Sequence, residues 1–215
     1  MQNLFSTYFD LFTNRCEHIP LLEIGEDSVR YDFFMALTEV NGLKNHEIVL
    51  ESAIDKRSFI PRDNKKSNRK ENPKMDLVVD KLNLCVEFGL FRQNSNEEGT
   101  INKTSRLVKM LNDMIRLGLE SYHTKRRAYF ICVADSKMLG HQLNSKILES
   151  FPANYIINKE LVDKLCEKKT SNFDRRFINK MNVLNLSFNS RLIYDKEVIA
   201  SKIYFETRIL IWEVC

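Results

Sequence analysis

The chain has 215 residues, 43% apolar and 29% charged, which is enough apolar material for one sizeable core and too much for wholesale disorder. Net charge is only +4, yet residues 56–74 alone carry +6, a concentration that suits a polyanion because Lys and Arg neutralise phosphates and release counterions; a solvated basic loop is the ordinary alternative. No run approaches 18 apolar residues, Met1 to Phe12 lacks the basic start and apolar stretch of a secretory leader, and the five cysteines are scattered without CxxC spacing. A membrane span, a disulfide framework and a zinc site are therefore not expected, and a cytoplasmic protein is.

Residues 1–19 place Leu4, Phe5, Tyr8, Phe9, Leu11 and Phe12 at helical spacing. Asp27-Ser28 offers an N-cap for a second helix, with Val29, Phe33, Phe34, Leu37 and Val40 inward and Asn41-Gly42 as its stop. Glu47 to Ile54 reads as a strand, and residues 55–73 as a long polar loop. Met75–Val79 and Leu84–Phe91 form an expected hairpin around Asp80-Lys81-Leu82-Asn83.

After a polar loop at 93–102, Lys103 to Leu119 follows helical spacing. Arg127 to Ala134 is a continuous apolar run, which suits a central strand buried on both faces. A helix over 139–151, an extended segment at Asn154–Ile157 and a helix over 159–168 come next. The last forty residues contain the β-forming stretches Val183–Phe188 and Ile203–Val214. The expected organisation is a core over 1–175 with a β-rich extension, 176–215, packed on the same domain.

Within the hairpin, Asp76 and Glu87 interrupt otherwise apolar strands. A buried carboxylate is costly unless it is paired, hydrogen-bonded or bound to a cation. With the turn centred on Lys81-Leu82, Asp76 falls opposite Glu87, which brings their Cβ atoms to about 5 Å. Two carboxylates that close repel one another unless a cation lies between them. Mg²⁺ suits such a pair, being hard and content with one or two carboxylates plus phosphate oxygens, and Mn²⁺ is an alternative.

Pro73-Lys74-Met75-Asp76 in one strand and Glu87-Phe88-Gly89 in the next, followed by a helix and a central strand, resemble the PD-(D/E)XK nuclease superfamily over roughly residues 20–150. The resemblance implies a restriction-endonuclease-like αβα core with a mixed central sheet. It also implies metal binding by Asp76 and Glu87, with a further carboxylate from the preceding helix or first strand, for which Glu39, Asp32 and Glu51 are candidates. The superfamily's lysine, which positions the attacking water, is replaced here by Gly89. Lys74, across the hairpin, and Lys103, on the following helix, are the first candidates to stand in, with Arg106 a further one.

The function so implied is a Mg²⁺-dependent endonuclease acting on DNA, of restriction or defence type. Lys65, Lys66, Arg69, Lys70 and Arg106 are its candidate phosphate contacts, and a homodimer would serve to cut both strands. The alternative is a catalytically inactive nuclease-fold protein that binds nucleic acid or a protein partner. Lys109 and Arg116 on the same helix could line a nucleic-acid face or simply be its wet side. The isolated histidines lack metal-ligand spacing, and no GxxxxGK[ST], GxGxxG or GxSxG occurs, so no nucleotide cofactor is expected.

Overall fold

A computed structural model describes residues 1–61, 72–92, 103–138, 154–166 and 173–215. Seven strands form one mixed sheet: β1 (Val49–Ala53), β2 (Lys74–Val79), β3 (Leu84–Phe91), β4 (Arg127–Asp135), β5 (Asn154–Ile157), β6 (Phe188–Glu197) and β7 (Thr207–Val214). Their order is β1-β2-β3-β4-β7-β6-β5, and among the described strands only β3 and β4 run parallel. Among the described residues, the longer helices are α1 (Gln2–His18), α2 (Glu26–Asn41), α3 (Lys103–Thr124), α4 (Lys159–Cys166) and α5 (Arg175–Val183).

The helices divide between the two faces of the sheet. Leu4, Phe5, Tyr8 and Phe12 of α1 and Val29, Phe33 and Leu37 of α2 pack with Leu77, Val86 and Phe88 on one face. Met110, Met114 and Leu117 of α3, Val162 of α4 and Phe177 of α5 pack with Val78, Cys85 and Phe130 on the other. Each helix places apolar residues three or four apart and so presents one stripe to the sheet. Strand β3 is buried along its whole length and β4 from Ala128 onward, as the parallel pair at the centre of a covered sheet must be. Among the described residues, no helix is long and apolar enough to cross a membrane.

Several boundaries differ from the sequence expectation. Helix α2 begins at Glu26, with Gly25 rather than Asp27 or Ser28 as its N-cap; Glu26 and Asp27 then sit in the first turn, where negative charge meets the positive end of the helix. Helix α3 continues past Gly118 to Thr124, because Gly118 is a packing position against Phe188 rather than a stop. The stretch expected as a strand at 183–188 is the end of α5, a turn through Asn185 at φ 49°, and only then β6. Asp174 caps α5 by accepting from the Arg176 amide, and Phe177, Ile178 and Met181 fall on one buried stripe. The final strand starts at Thr207, not Ile203. The helix expected over 139–151 and the loop over 93–102 lie outside the described residues.

Residues 188–214 are part of the main sheet. Strand β7 pairs with β4 from Ala128–Val214 to Asp135–Thr207, between β4 and β6. The hairpin turn is a 3-10 turn over Asp80–Leu82 closed by Asn83 at φ 50°, a left-handed position that Asn tolerates well. Beyond it Val79–Leu84, Val78–Cys85 and Leu77–Val86 are paired, the register expected from the sequence.

Candidate functional site

Strand β2 departs from regular geometry one residue beyond those pairs, while β3 keeps an unbroken register with β4. Met75 packs on the α3 face and Leu77 on the α1–α2 face, although residues two apart in a regular strand share a face. The strand therefore turns over at Asp76. On the neighbouring strand, Leu50–Leu77 and Ser52–Met75 are paired, while Glu51 between them adopts φ 52° and drops out of the register. A glutamate in the left-handed region is strained, and such strain concentrates at functional sites.

Freed from the ladder, the Asp76 carboxylate spans the two layers. Its Oδ2 accepts the Phe88 amide at 2.9 Å, and its Oδ1 accepts from Arg30 Nη2 of α2 at 2.8 Å. Arg30 also donates to Glu51 Oε1 at 3.0 Å. Glu87, one residue before Phe88, faces the same cleft as Asp76 and is only 2% exposed.

A cleft of about 340 Å³ opens here between α3, the hairpin and the start of α2; Glu26, Asp76, Glu87, Lys109, Asp113 and Arg116 face it. Arg116 Nη1 donates to Glu87 Oε1 at 2.8 Å and to the Lys74 carbonyl at 3.3 Å, and its Nη2 is 3.4 Å from Asp113 Oδ1. Lys109 Nζ reaches both Glu26 oxygens, at 2.8 and 3.0 Å, and so bridges α3 to the first turn of α2.

The electrostatics follow from this crowding. Burial pushes Glu87 well above the usual carboxylate range; Arg116 opposes that shift, while Asp113 and Asp76 add to it. Burial likewise pushes Asp113 up to about 7, against the pull of Arg116 and Lys109. For Arg116, burial works against the cation, but Glu87 and Asp113 outweigh it and raise its pKa. Carboxyl groups that strain towards the neutral form beside a guanidinium at a cleft wall are a pattern characteristic of functional sites.

The expected site residues are distributed as follows. Asp76 and Glu87 come together at the cleft. Lys74 is exposed, with its amine 3.8 Å from Glu51 rather than at Glu87; only its backbone carbonyl enters the cluster. Glu51 joins the cluster's outer rim through Arg30. Glu39 is exposed on α2, about 20 Å along the helix from Glu26. Asp32 is buried in a separate pair with Arg15, whose Nε donates to it at 2.7 Å. The side chains of Lys103 and Arg106, and the whole of Lys65, Lys66, Arg69 and Lys70, lie outside the described residues.

Gly89 has a steric explanation. A Cβ there would come within 3.0 Å of the ring carbons of Phe91 and Phe130, which stack on the α3 face. Where the superfamily pattern carries a lysine, this chain carries two aromatic rings. The cation that meets Glu87 comes from α3 instead.

Three carboxylates of the cleft, Glu26, Asp113 and the α5 cap Asp174, are not among the site residues expected from the sequence. Asp113 was detectable: it lies three residues after Met110 and four before Leu117, on the buried stripe of α3, where an acid is costly without a partner. Glu26 gave no such signal, because an acid in a first helical turn is ordinary.

The oxygen donors fit a hard divalent cation in part. Asp76 and Glu87 supply two adjacent carboxylates at a solvent-reachable cleft, the number Mg²⁺ usually takes from protein while it retains water. Among the described residues, no group of three or more His, Cys, Asp or Glu side chains is arranged to hold an ion. The chain matches no family model, no curated protein and no solved structure.

Proposed function

We propose that this chain is a metal-dependent endonuclease that hydrolyses phosphodiester bonds of DNA in the cleft between α3 and the β2–β3 hairpin. The observation that carries this reading is the adjacency of Asp76 and Glu87 where the hairpin strands part, beside cations that also face the cleft. Asp76 and Glu87 would hold Mg²⁺ or Mn²⁺, which when bound would supply Lewis acidity and a more acidic water.

The chain's own residues do the remaining work. The Phe88 amide and Arg30 fix the two Asp76 oxygens, which orients that carboxylate before any ligand arrives. Lys109 and Arg116 place positive charge on the α3 wall, where a phosphodiester would lie. Asp113, with a pKa near 7, can hold or release a proton at its carboxyl oxygen around neutrality. The basic segment 56–74 ends at Lys74, the first residue of β2 and two before Asp76. The compartment consistent with this reading is the cytoplasm, where the thiols, free among the described residues, would stay reduced.

A second reading has its own support. Glu87 is already neutralised by Arg116, and Gly89 leaves the strand without its lysine. A nuclease-fold protein that binds DNA without cutting it would show both features.

Incubation with supercoiled plasmid, linear duplex and single-stranded DNA in Mg²⁺, Mn²⁺ or EDTA separates the two. Metal-dependent cutting that disappears in Asp76→Ala and Glu87→Ala establishes the nuclease; nicked rather than linear product would report one site acting at a time. Salt-dependent binding without cutting establishes the second reading.

A further inference from the structure

The cleft already contains a cation, and it belongs to the protein. We propose that Arg116 is the resident counter-cation of the Glu87–Asp113 pair, that a divalent cation competes with it for Glu87, and that this competition frees the guanidinium for a phosphate in the cleft. The inference rests on the metal-dependent reading above.

The argument begins with burial. Glu87 is 2% exposed and Asp113 5%, so neither can be a charged group without a nearby cation. Arg116 supplies it to both at once, at 2.8 and 3.4 Å. A divalent ion bound between Asp76 and Glu87 would offer Glu87 the same neutralisation with more charge. A divalent cation at Glu87 would stand within a few ångströms of the guanidinium on Oε1, and two cations that close repel one another.

The state of the guanidinium points the same way. Arg116 Nε is buried and has no hydrogen-bond partner, so its donors are only partly committed. Its guanidinium carbon lies over the Phe177 ring, 5.5 Å from the centroid, a cation–π contact without the directionality of a hydrogen bond. The side chain faces the cleft, as does Lys109 two turns earlier on the same helix. Once released from Glu87, the guanidinium would need only a rotamer change to face the space beside Lys109.

Arg30 makes a useful contrast. It holds Asp76 but is tied to Glu51 as well, with Asp27 3.8 Å away, and it approaches from the other face of the sheet. Its Nε is unpartnered as well, but Arg30 does not line the cleft, so it acts as a positioning residue for Asp76. Arg116 is the cation placed to exchange.

The test is Mn²⁺ affinity, measured by titration calorimetry and by the rise in melting temperature on adding Mn²⁺. Wild type is compared with R116M, R116K and E87Q, and circular dichroism checks folding. R116M, which lacks the competitor, is expected to bind Mn²⁺ about tenfold more tightly than wild type, the ordinary size of a coupling between two ligands of one protein. Its melting temperature should also rise further on adding Mn²⁺.

R116K retains the charge but cannot bridge two carboxylates, so it should fall between wild type and R116M. E87Q should lose binding. An arginine with a merely structural role would give weaker binding in both Arg116 variants, and equal or weaker binding in folded R116M overturns the proposal. If R116M does not fold, R116K decides in the same way.

DNA cutting by wild type together with unchanged affinity in the variants overturns this inference and leaves the nuclease standing. Tight Mn²⁺ binding in R116M without cutting by wild type does the reverse. No binding in any variant overturns the exchange.

Discussion

A methyl group on Gly89 would sit 3.0 Å from ring carbons of both Phe91 and Phe130, and a lysine there would have to drive the two rings apart. Overpacking of this kind typically costs about 1–3 kcal/mol. Gly89→Lys is accordingly expected to lower stability to urea by about that much and to add no cleavage activity, because its amine could not reach Glu87 past the rings. A gain in cutting would show that the rings yield. Asp113 gives a second prediction at this scale. Its folded pKa of about 7 stands far above the roughly 3.9 of an unfolded aspartate, so between those values the folded chain holds the extra proton. Stability conferred by that proton is full at low pH and lost as pH rises through 7. In EDTA, the unfolding free energy should therefore fall between pH 5 and 7, with a slope of up to about 1.4 kcal/mol per pH unit from this one group. Glu87, raised as well, adds to the same trend. Asp113→Asn should flatten the slope; an unchanged slope would assign it elsewhere.

Elements were legible in the sequence where a single period dominated. The α1 stripe, the β2–β3 register and the apolar run of β4 could all be read because local pattern and tertiary burial agree there. The part of the site written as acids inside apolar strands was legible for the same reason. Other features escaped because their determinants are tertiary. The turnover of β2 at Asp76 depends on Arg30 and on Glu51 in a neighbouring strand. The exclusion of a lysine at position 89 depends on Phe130, forty-one residues away. Short α5 has too few residues to show a clear stripe in the sequence, and the alternation at Leu184, Leu186 and Phe188 suggests a strand before β6 actually begins. Gly118 is the sharpest case. A glycine inside a helix ordinarily costs about 1 kcal/mol relative to alanine, yet a Cβ here would fall 2.4 Å from Phe188 Cγ. The clash outweighs the propensity gain, so Gly118→Ala should destabilise by about 1–3 kcal/mol in a urea titration. Pairing it with Phe188→Leu should recover part of the loss. An additive double mutant would mean that the two residues do not meet.

At the scale of the whole molecule, the chain's last strand lies near the middle of its sheet. Residues near the C-terminus pair along the full length of β4, so a chain ending at residue 187 would expose that strand's entire edge and leave Met110, Met114 and Phe130 without their β7 neighbours. Such a truncation is expected to yield aggregated protein with weak near-UV circular dichroism; a monomeric, cooperatively unfolding 1–187 fragment would refute this. The outer strand at the other end carries a different hazard. Val49 and Leu50 of β1 are 45% and 44% exposed on a terminal strand. A flat strand of that composition is a template onto which another copy could zip, one amide after another. Glu51, held left-handed by its place beside Arg30 and Asp76, breaks that template after two residues and adds a charge. The same kink beside the carboxylates of the cleft interrupts that edge, and a variant that straightens β1 is expected to be caught first by turbidity rather than by any loss of chemistry.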